Sequence, residues 1–342
     1  MRLLICGGTG FVGTALTKAL LARGDEVWIV TRKRTDASAS LQIAGHAGNG
    51  TVAASAPRYV TWDEWEQSAE RFDGFDAVVN LAGESINQRW TAAAKRRIVD
   101  SRVIAAERIA AIFRRMSAPP PVVVNASGIS LYGHSVAEKP KGSLDRRTGR
   151  AGSQAVYDEG SPSHPVDESI FDENCPAAPA DFLGETVIAW EAAADGIPAE
   201  RLVKLRIGLV VARSGGAFPL LRLPYRLFAG GRMGHGRQGM PWIHLQDMVG
   251  LILFSLDRAE VRGPLNAVAP DPVTNDAFGR ALAAAMHRPH WFPVPGPLLK
   301  PLLGEMSTLV LTGQRAMPRK ALDLGYKFAY PRLEDALRDL VR

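Results

Sequence analysis

Three glycines near the N-terminus have the spacing of a loop that binds a dinucleotide. Gly7, Gly10 and Gly13 directly follow a short apolar run and directly precede a segment with helical periodicity. In such a loop the first glycine permits a tight turn, the second lets the backbone approach a pyrophosphate, and the third lets the helix pack closely on the strand. The helix start then offers free N–H groups and the positive end of its dipole to the anion. The cofactor contacts predicted in this segment are Gly7, Thr9, Gly10, Phe11, Val12 and Gly13.

The residues at the end of the second predicted strand indicate which dinucleotide is bound. An NAD-binding chain normally has Asp or Glu at this point to bind the ribose 2′-hydroxyl. This chain has Thr31 and Arg32 there, followed by Lys33 and Arg34. Because an arginine can pair with a 2′-phosphate by charge and bidentate geometry, Thr31 and Arg32 favour NADP(H) as the cofactor. The alternative is that these basic residues are only solvated loop charges.

The elements that position these residues alternate between strand and helix. Helical spacing covers residues 14–23 and stops at Gly24, a second helix is predicted from Thr91 to about Met116, and a third begins near Asp181. The predicted strands are Leu3–Cys6, Val27–Val30, Tyr59–Trp62, Ala77–Asn80, Val122–Asn125 and Leu202–Ile207. This alternation predicts an α/β fold of the Rossmann type, a doubly wound parallel sheet with right-handed crossovers.

The pattern changes after residue 213, which predicts two parts of the chain. Residues 1–213 are expected to form an NADP-binding Rossmann domain that is completed by about 242–270. The segments 214–241 and 271–342 are expected to form a smaller C-terminal substrate lobe over the cofactor cleft. Two stretches, 36–57 and 134–167, lack periodicity and are predicted to be surface insertions. Trp291 and Phe292, which lie among prolines, are expected to pack within the lobe.

Composition and charge exclude several other classes of protein. The chain has 342 residues, of which 46% are hydrophobic and 22% charged, as in ordinary globular proteins. The net charge of +6 raises the question of nucleic acid. However, the basic residues Lys95–Arg97 and Arg102 alternate with apolar residues as a solvated helix face would, so no nucleic-acid partner is expected.

Location and metal content are predicted from what the sequence lacks. No apolar run approaches the roughly 20 residues of a membrane helix, and no signal-peptide pattern is present. Cys6 and Cys175 are the only cysteines, so a reducing compartment is expected. The seven histidines show no metal-ligand spacing. The sequence therefore predicts a soluble cytoplasmic protein without a membrane partner or a metal.

Taken together, the motifs resemble the extended, or atypical, short-chain dehydrogenase/reductase superfamily. Within it, the chain is similar to the "epimerase family" of NADP-binding proteins related to nucleotide-sugar epimerases. The matching motifs are GGTGFVG, NLAGESI, DSR, SGISLYG, DFLGETVIAWE, RIGLVVA, GGRMGHGRQGMPWIHLQD and RPHWFPVP. The resemblance implies an NADP(H)-dependent oxidoreductase or epimerase acting on a small or nucleotide-linked carbonyl or sugar. A homodimer is the expectation by analogy alone.

The resemblance also implies cofactor contacts after the third and fourth strands. Trp62 and Asp63 lie where the superfamily commonly contacts adenine. The positions implied after the fourth strand are Leu81, Ala82, Gly83, Glu84 and Arg89. For Glu84 and Arg89, exposed surface charge remains the alternative.

The catalytic residues of the superfamily are only partly present. Its members use a Ser or Thr together with a Tyr and a Lys spaced Y-x-x-x-K, which places both on one helix face. None of the six tyrosines here has a lysine four residues later. Ser127 matches the superfamily serine, and Tyr132 matches a residue that is usually structural in relatives but could act as the acid. Asp181 and Glu185 lie where the missing pair should be, and either serve as a carboxylate acid/base or favour a helix N-terminus. A non-catalytic NADP(H)-binding sensor or scaffold therefore stays open.

Overall fold

A computed structural model describes residues 1–33, 56–135 and 170–342. The predicted insertions 36–57 and 134–167, together with Arg34, lie wholly or mostly outside the described residues. The strands of the described part are β1 (Arg2–Cys6), β2 (Glu26–Thr31), β3 (Arg58–Thr61), β4 (Ala77–Asn80), β5 (Val122–Gly128), β6 (Ile170–Phe171), β7 (Arg201–Ile207), β8 (Leu209–Val211), β9 (Gly239–Met240), β10 (Trp242–His244), β11 (Gly263–Ala267), β12 (Val273–Thr274) and β13 (Arg315–Ala316).

The helices fill the connections between these strands and most of the C-terminal third. They are α1 (Phe11–Ala22), α2 (Trp62–Gln67), α3 (Ala92–Phe113), α4 (Phe182–Asp195), α5 (Phe218–Arg226), α6 (Leu245–Asp257), α7 (Asn275–Met286), α8 (Gly296–Leu303), α9 (Thr308–Leu311), α10 (Arg319–Asp323) and α11 (Leu333–Val341). A 3₁₀ turn, Ile129–Tyr132, directly follows β5.

Seven strands form one parallel sheet in the order β11-β7-β5-β4-β1-β2-β3. The order reverses direction at β1, so the connecting helices cover both faces. Leu3 and Ile5 of β1 pack into the apolar cluster of α1 and α6, whereas Leu4 and Cys6 pack into the cluster of α2 and α3. Burial on both faces explains why the strands read as continuous apolar runs rather than alternating ones. The prediction of a doubly wound α/β fold is confirmed.

The boundaries of two predicted elements were wrong for local reasons. The third strand ends at Thr61 and Trp62 starts α2, because Thr61 and Glu64 form a reciprocal capping box that begins the helix. The helix α1 starts at Phe11, three residues earlier than predicted, and Gly24 takes the left-handed conformation (φ +87°) just after its end.

Two further features differ from the sequence analysis. The strand β11 was not predicted, because this edge strand has the sequence GPLNA, and Gly and Pro are poor strand formers. Trp291 and Phe292 are 65% and 50% exposed, so the prediction that they pack within the lobe was wrong. The Trp291 indole N–H donates to the carbonyl of Phe228, but its ring lies at the surface.

Asp247, in the first turn of α6, holds the C-terminal segment against the sheet. Its side chain is 1% exposed and accepts hydrogen bonds from the backbone N–H groups of Ala329 (2.7 Å) and Tyr330 (2.9 Å). The Tyr326 hydroxyl donates to the Asp247 carbonyl, and burial beside this carboxylate raises the pKa of Tyr326. One carboxylate thus fixes the chain between α10 and α11.

We expect Asp247→Ala to lower the free energy of unfolding by about 2–4 kcal/mol, because two backbone donors lose their acceptor. Denaturant unfolding followed by circular dichroism measures this change. Asp323→Ala is the matched control, since Asp323 is exposed at the end of α10 and should change stability by less than about 0.5 kcal/mol. Equal effects of the two substitutions would contradict the anchoring role.

Candidate functional site

The glycine loop after β1 is shaped by contacts that exclude side chains. Gly7 has φ +79°, and a Cβ there would lie 2.7 Å from the carbonyl oxygen of Leu81. A Cβ on Gly13 would clash with the carbonyl oxygen of Gly7, to which the Gly10 N–H donates (3.0 Å). Gly10 is the N-cap of α1, no side chain caps the helix, and its first turn has no acidic residue. The first-turn N–H groups are therefore left for an anion.

The loop after β8 covers this helix start. Gly215 and Gly216 both have positive φ (+83° and +62°), and a Cβ on either would lie within 3 Å of the Phe11 ring. Only glycine therefore allows this loop to pack on Phe11. The segment 214–241 was predicted to lie over the cofactor cleft, but its contact with Phe11, about 200 residues away in the chain, was not predicted.

Ser101 and Arg102 of α3 hold the loop that follows β4. The N–H of Glu84 donates to Ser101 Oγ (2.9 Å), and Arg102 Nη1 donates to the carbonyl of Glu84 (3.0 Å). Burial lowers the pKa of Arg102 to about 10. A Cβ on Gly83 would lie 3.1 Å from its guanidinium carbon. The prediction that Arg102 belongs to a solvated face of the helix was wrong, because its guanidinium is half-buried and binds the carbonyls of Glu84 and Ile98. Ser101 was predicted only as part of the DSR motif, without a role.

Arg32 and Glu84 lie close enough for their charges to interact. Hydrogen bonds from Gln88 (2.9 Å) and Arg97 (3.0 Å), aided by the positive charge of Arg32, lower the pKa of the Glu84 carboxyl. The Arg32 side chain is exposed and forms no ion pair with a described residue. Arg89 is also exposed. The predicted cofactor residues after β2 and β4 thus lie at one edge of the sheet, and their contact with a cofactor stays a prediction.

Of the two predicted adenine contacts at the start of α2, Trp62 is buried and Asp63 is exposed. The Trp62 ring is 7% exposed and packs beneath the guanidinium group of Arg108, which lies 5.1 Å from the ring centre. The Asp63 carboxylate is 77% exposed and accepts a hydrogen bond from Arg108 (2.9 Å). Of the two, only Asp63 has a side chain that is accessible to a ligand.

Ser127 and Tyr132 belong to a buried polar network. Ser127 Oγ donates to Glu191 of α4 (2.6 Å), and Arg206 of β7 donates to both oxygens of the same carboxylate (2.9 and 3.1 Å). Arg206 also donates to the Tyr132 hydroxyl (2.7 Å), which donates in turn to Asn266 Oδ1 (2.9 Å). Burial raises the pKa of Tyr132 to about 12. Both hydroxyls are therefore engaged in the interior, and catalytic roles for them stay predictions.

The start of α4 brings Asp181 and His134 together. Asp181 is the N-cap, where Oδ1 accepts from the Gly184 N–H (2.9 Å), while its Oδ2 lies 3.8 Å from His134 Nε2. Glu185, one turn further on, is exposed. Ser130 lies at the same edge, and its half-buried hydroxyl is 3.6 Å from where a Cβ on Gly128 would be. His134 and Ser130 were not predicted from the sequence, where the only signal was that both flank the LYG motif.

The edge where the strands end therefore combines the uncapped start of α1 with the ionisable side chains of His134, Asp181 and Glu185. In the described ranges, no three His, Cys, Asp or Glu side chains group as metal ligands would. Within the same ranges, no helix is both long enough and apolar enough to cross a bilayer.

This fold and glycine loop define a Rossmann-type protein of the short-chain dehydrogenase/reductase kind. The model of the NAD dependent epimerase/dehydratase family matches residues 3–160, and that of a domain of unknown function, DUF1731, matches residues 294–340. The chain is 34% identical to epimerase family protein YfhF of Bacillus subtilis, covering 100% of this chain and 98% of that protein. It is 33% identical to epimerase family protein SDR39U1 of Homo sapiens, with full coverage of both. The chain therefore belongs to the epimerase family of YfhF and SDR39U1, as the motifs predicted.

Solved structures agree with this assignment. The crystal structure of human SDR39U1 (isoform 2) with NADPH is 33% identical, has a TM-score of 0.80, and is matched over 100% of this chain and 99% of that chain. MoeE5 in complex with UDP-glucose and NAD is 17% identical with a TM-score of 0.67 over 100% of this chain and 97% of that chain. At that identity, the likeness to MoeE5 shows the shared fold alone.

The buried Glu191 makes stability depend on pH in a defined direction. Burial disfavours its ionised form, but hydrogen bonds from Arg206 and Ser127 outweigh this and hold the pKa of Glu191 below its ordinary value of 4.5. A lowered carboxyl pKa gives stability that is present above pH 4.5 and is lost as the pH falls through the folded-state value.

We expect Glu191→Gln to destabilise the fold by about 3 kcal/mol at pH 7, because Arg206 is left buried without its partner charge. The difference from the wild type should narrow below pH 4.5. Unfolding measured from pH 3 to 8 tests both statements. The control is Glu107→Gln, since Glu107 is exposed on α3. Its free energy of unfolding should equal that of the wild type at every pH. If the difference in free energy of unfolding between the wild type and Glu191→Gln were the same at every pH, the lowered pKa of Glu191 would not contribute to stability.

Proposed function

We propose that the protein binds NADP(H) across the edge formed by the glycine loop, Arg32 and the loop after β4. The observation that carries the proposal is the uncapped start of α1 after β1, together with an exposed arginine at the end of the neighbouring strand β2 that has no ion-pair partner in the described residues. The pyrophosphate would accept hydrogen bonds from the first-turn N–H groups, and the 2′-phosphate would pair with Arg32. The NADPH in the crystal structure of the human relative supports this proposal.

We further propose that the protein is an NADP(H)-dependent oxidoreductase or epimerase that acts on a small or nucleotide-linked carbonyl or sugar. The cofactor, when bound, donates or accepts a hydride. Reduction of a carbonyl also needs a proton for the oxygen, and oxidation of an alcohol needs a base that removes one. The protein must therefore supply a group that exchanges this proton.

The His134 and Asp181 pair is our candidate for the proton exchange. Asp181 Oδ2 is 3.8 Å from His134 Nε2, so a carboxylate and an imidazole lie side by side at the start of α4, and either can carry a proton. Ser130 is our candidate for a hydroxyl that binds the reacting oxygen, since the Ser127 hydroxyl is already bound to Glu191. This assignment retains Asp181 from the sequence analysis and adds its histidine partner.

A second candidate function is a cofactor-binding sensor or scaffold without turnover. The observation that favours it is the engagement of Ser127 and Tyr132 in the interior network, in a chain without a Y-x-x-x-K pair. The two functions differ in one measurable outcome. An enzyme transfers deuterium from labelled NADPH to one member of a panel of carbonyls and nucleotide sugars, or epimerises a sugar, whereas a sensor binds NADPH with neither result.

Arg32→Asp should weaken NADPH binding by about 100-fold or more while changing NADH binding by less than about fivefold. The substitution removes a charged hydrogen-bond partner of the 2′-phosphate and adds a like charge. Titration of reduced-cofactor fluorescence measures both affinities. Lys18→Asp, an exposed charge reversal on α1, controls for net charge. Equal losses for both cofactors would rule out the 2′-phosphate assignment.

Asp181→Asn and Glu185→Gln distinguish the two carboxylates at the start of α4. Asparagine caps a helix as well as aspartate does, so Asp181→Asn should leave stability unchanged. It should lower kcat by about 10²–10⁴-fold on any substrate found in the panel, without changing NADPH affinity. Glu185→Gln should change kcat by less than about twofold because Glu185 is exposed. Full activity of Asp181→Asn would exclude the proposed pair.

A further inference from the structure

The outer face of α5 is apolar, whereas a helix at a protein surface normally turns its polar side to water. Phe218 and Tyr225 are buried and form the inner face of this helix. Leu220, Leu223 and Leu227 follow with helical spacing on the opposite face, and their side chains are 46–68% exposed. The inner face already packs α5 onto the protein. The three leucines therefore face solvent in the described part of the chain.

Three aromatic rings extend this face beyond the end of α5. Phe228 directly follows Leu227, and the Trp291 indole N–H donates to the Phe228 carbonyl (2.9 Å) across 63 residues of chain. The Trp291 and Phe292 rings meet edge to face with their centres 5.8 Å apart. All three rings are at least half exposed. The three leucines and the three aromatic residues together are called the apolar patch below. Contiguous apolar surface of this kind marks an interaction site.

Phe228 is held in a conformation that a large side chain rarely adopts. Its φ is +59°, in the left-handed region. The position directly follows the end of α5, where glycine or asparagine is usual. The N–H of Phe228 donates to the carbonyl of Tyr225 (3.0 Å), so the turn itself fixes this geometry. The chain thus keeps a strained residue at the point that exposes its ring, and such strain is typical of functional positions.

The charge that borders the apolar patch has one sign. No Asp or Glu occurs between Glu200 and Asp247, a stretch that contains α5 and the loop after it. Arg226 of α5 is exposed and forms no ion pair with a described residue. The guanidinium group of Arg288 lies 4.5 Å from the centre of the Phe228 ring. The apolar patch therefore has a basic border, which favours an anionic partner.

This combination fits the surface of a bilayer better than a protein partner. Leucine and phenylalanine side chains enter the boundary of the acyl chains, tryptophan lies at the level of the headgroups, and arginine attracts anionic lipid. Side chains as exposed as these project from the protein rather than line a groove, which suits insertion. A second copy of the chain is disfavoured, because a two-fold contact would bring the same arginines together.

We propose that the apolar patch binds the protein to the surface of a membrane that contains anionic phospholipid. Such binding needs no spanning helix, and the described ranges contain none. The sequence predicted no membrane partner because no apolar run is long enough to cross a bilayer, whereas this patch is assembled only by the fold. The inference goes beyond the proposed function and does not rest on it.

The test is flotation of the full chain with vesicles of phosphatidylcholine alone and with about 25% phosphatidylglycerol added. The wild type should bind the anionic vesicles at least about tenfold more tightly than the neutral ones. Leu227→Ser should weaken this binding by about tenfold, because a leucine side chain no longer enters the acyl boundary. The matched control is Leu322→Ser, since Leu322 is an exposed leucine of α10. It should change binding by less than about twofold.

Phe228→Asn separates binding from folding. Asparagine tolerates the left-handed conformation, so this variant should unfold at the same temperature as the wild type or at a higher one. It should nevertheless bind anionic vesicles about tenfold more weakly. If Phe228 had only a structural role, the substitution would lower the unfolding temperature and leave vesicle binding unchanged.

Arg226→Gln tests the basic border. It should weaken binding to anionic vesicles by about fivefold and leave binding to neutral ones unchanged. Arg96→Gln, which removes an exposed charge from α3, is its control and should change neither by more than about twofold. NADPH affinity should be the same in all variants.

Several results would overturn the inference. These are a wild type that floats with neither kind of vesicle, and substitutions in the apolar patch that leave vesicle binding unchanged. Equal binding to neutral and anionic vesicles would exclude the anionic lipid. A wild-type dimer that Leu227→Ser dissociates in sedimentation, without vesicle binding, would make the patch an interface between copies of the chain. Vesicle binding through the patch without any NADPH binding would support the inference and overturn the proposed function.

Discussion

The close approach of two backbone segments at Gly7 controls the geometry of the whole cofactor edge. A side chain at Gly7 would meet the carbonyl of Leu81, and one at Gly13 would meet the carbonyl of Gly7. With both positions free of side chains, α1 begins directly at the end of β1 and the β4 loop lies beside it. The carboxyl ends of the parallel strands then bring Arg32, Glu84 and the β5 turn to the same edge. A Cβ on Gly7 or on Gly13 would block this path of the chain, so the arrangement of the edge depends on glycine at both positions.

A second constraint couples this edge to the C-terminal third. Glu191, Arg206 and Tyr132 form a continuous buried network that ends on Asn266 of β11. The amide group of Asn266 donates to the carbonyl of Met317, and its backbone N–H donates to Glu173 (both 2.9 Å). Buried charges are costly unless each is paired, so these residues can lie inside only as a set. The strand edge and the segment around residue 317 are thus held in one arrangement.

The basic residues of this chain serve different purposes according to their burial. Arg102 and Arg206 are largely buried, donate to carbonyls or to a carboxylate, and organise the sheet edge. Arg32, Arg232 and Arg237 are exposed and have no ion pairs with described residues. The net charge of +6 alone cannot separate these groups. Arg32 follows β2, the strand that pairs with β1, which is why the edge with the uncapped start of α1 is proposed to bind the phosphates of the cofactor.

The sequence by itself determined the glycine loop, the alternation of strands and helices, and the family, because each depends on local spacing or on motifs read along the chain. It could not predict β11, because Gly and Pro in this segment disfavour a strand. The segment becomes a strand through its pairing with β7. It could not decide whether Ser127 faces the cleft or the interior, because its partner Glu191 lies 64 residues away. Only the tertiary structure brings His134 to Asp181, and Trp291 to Phe228. Such pairings depend on long-range packing, which local residue patterns do not record.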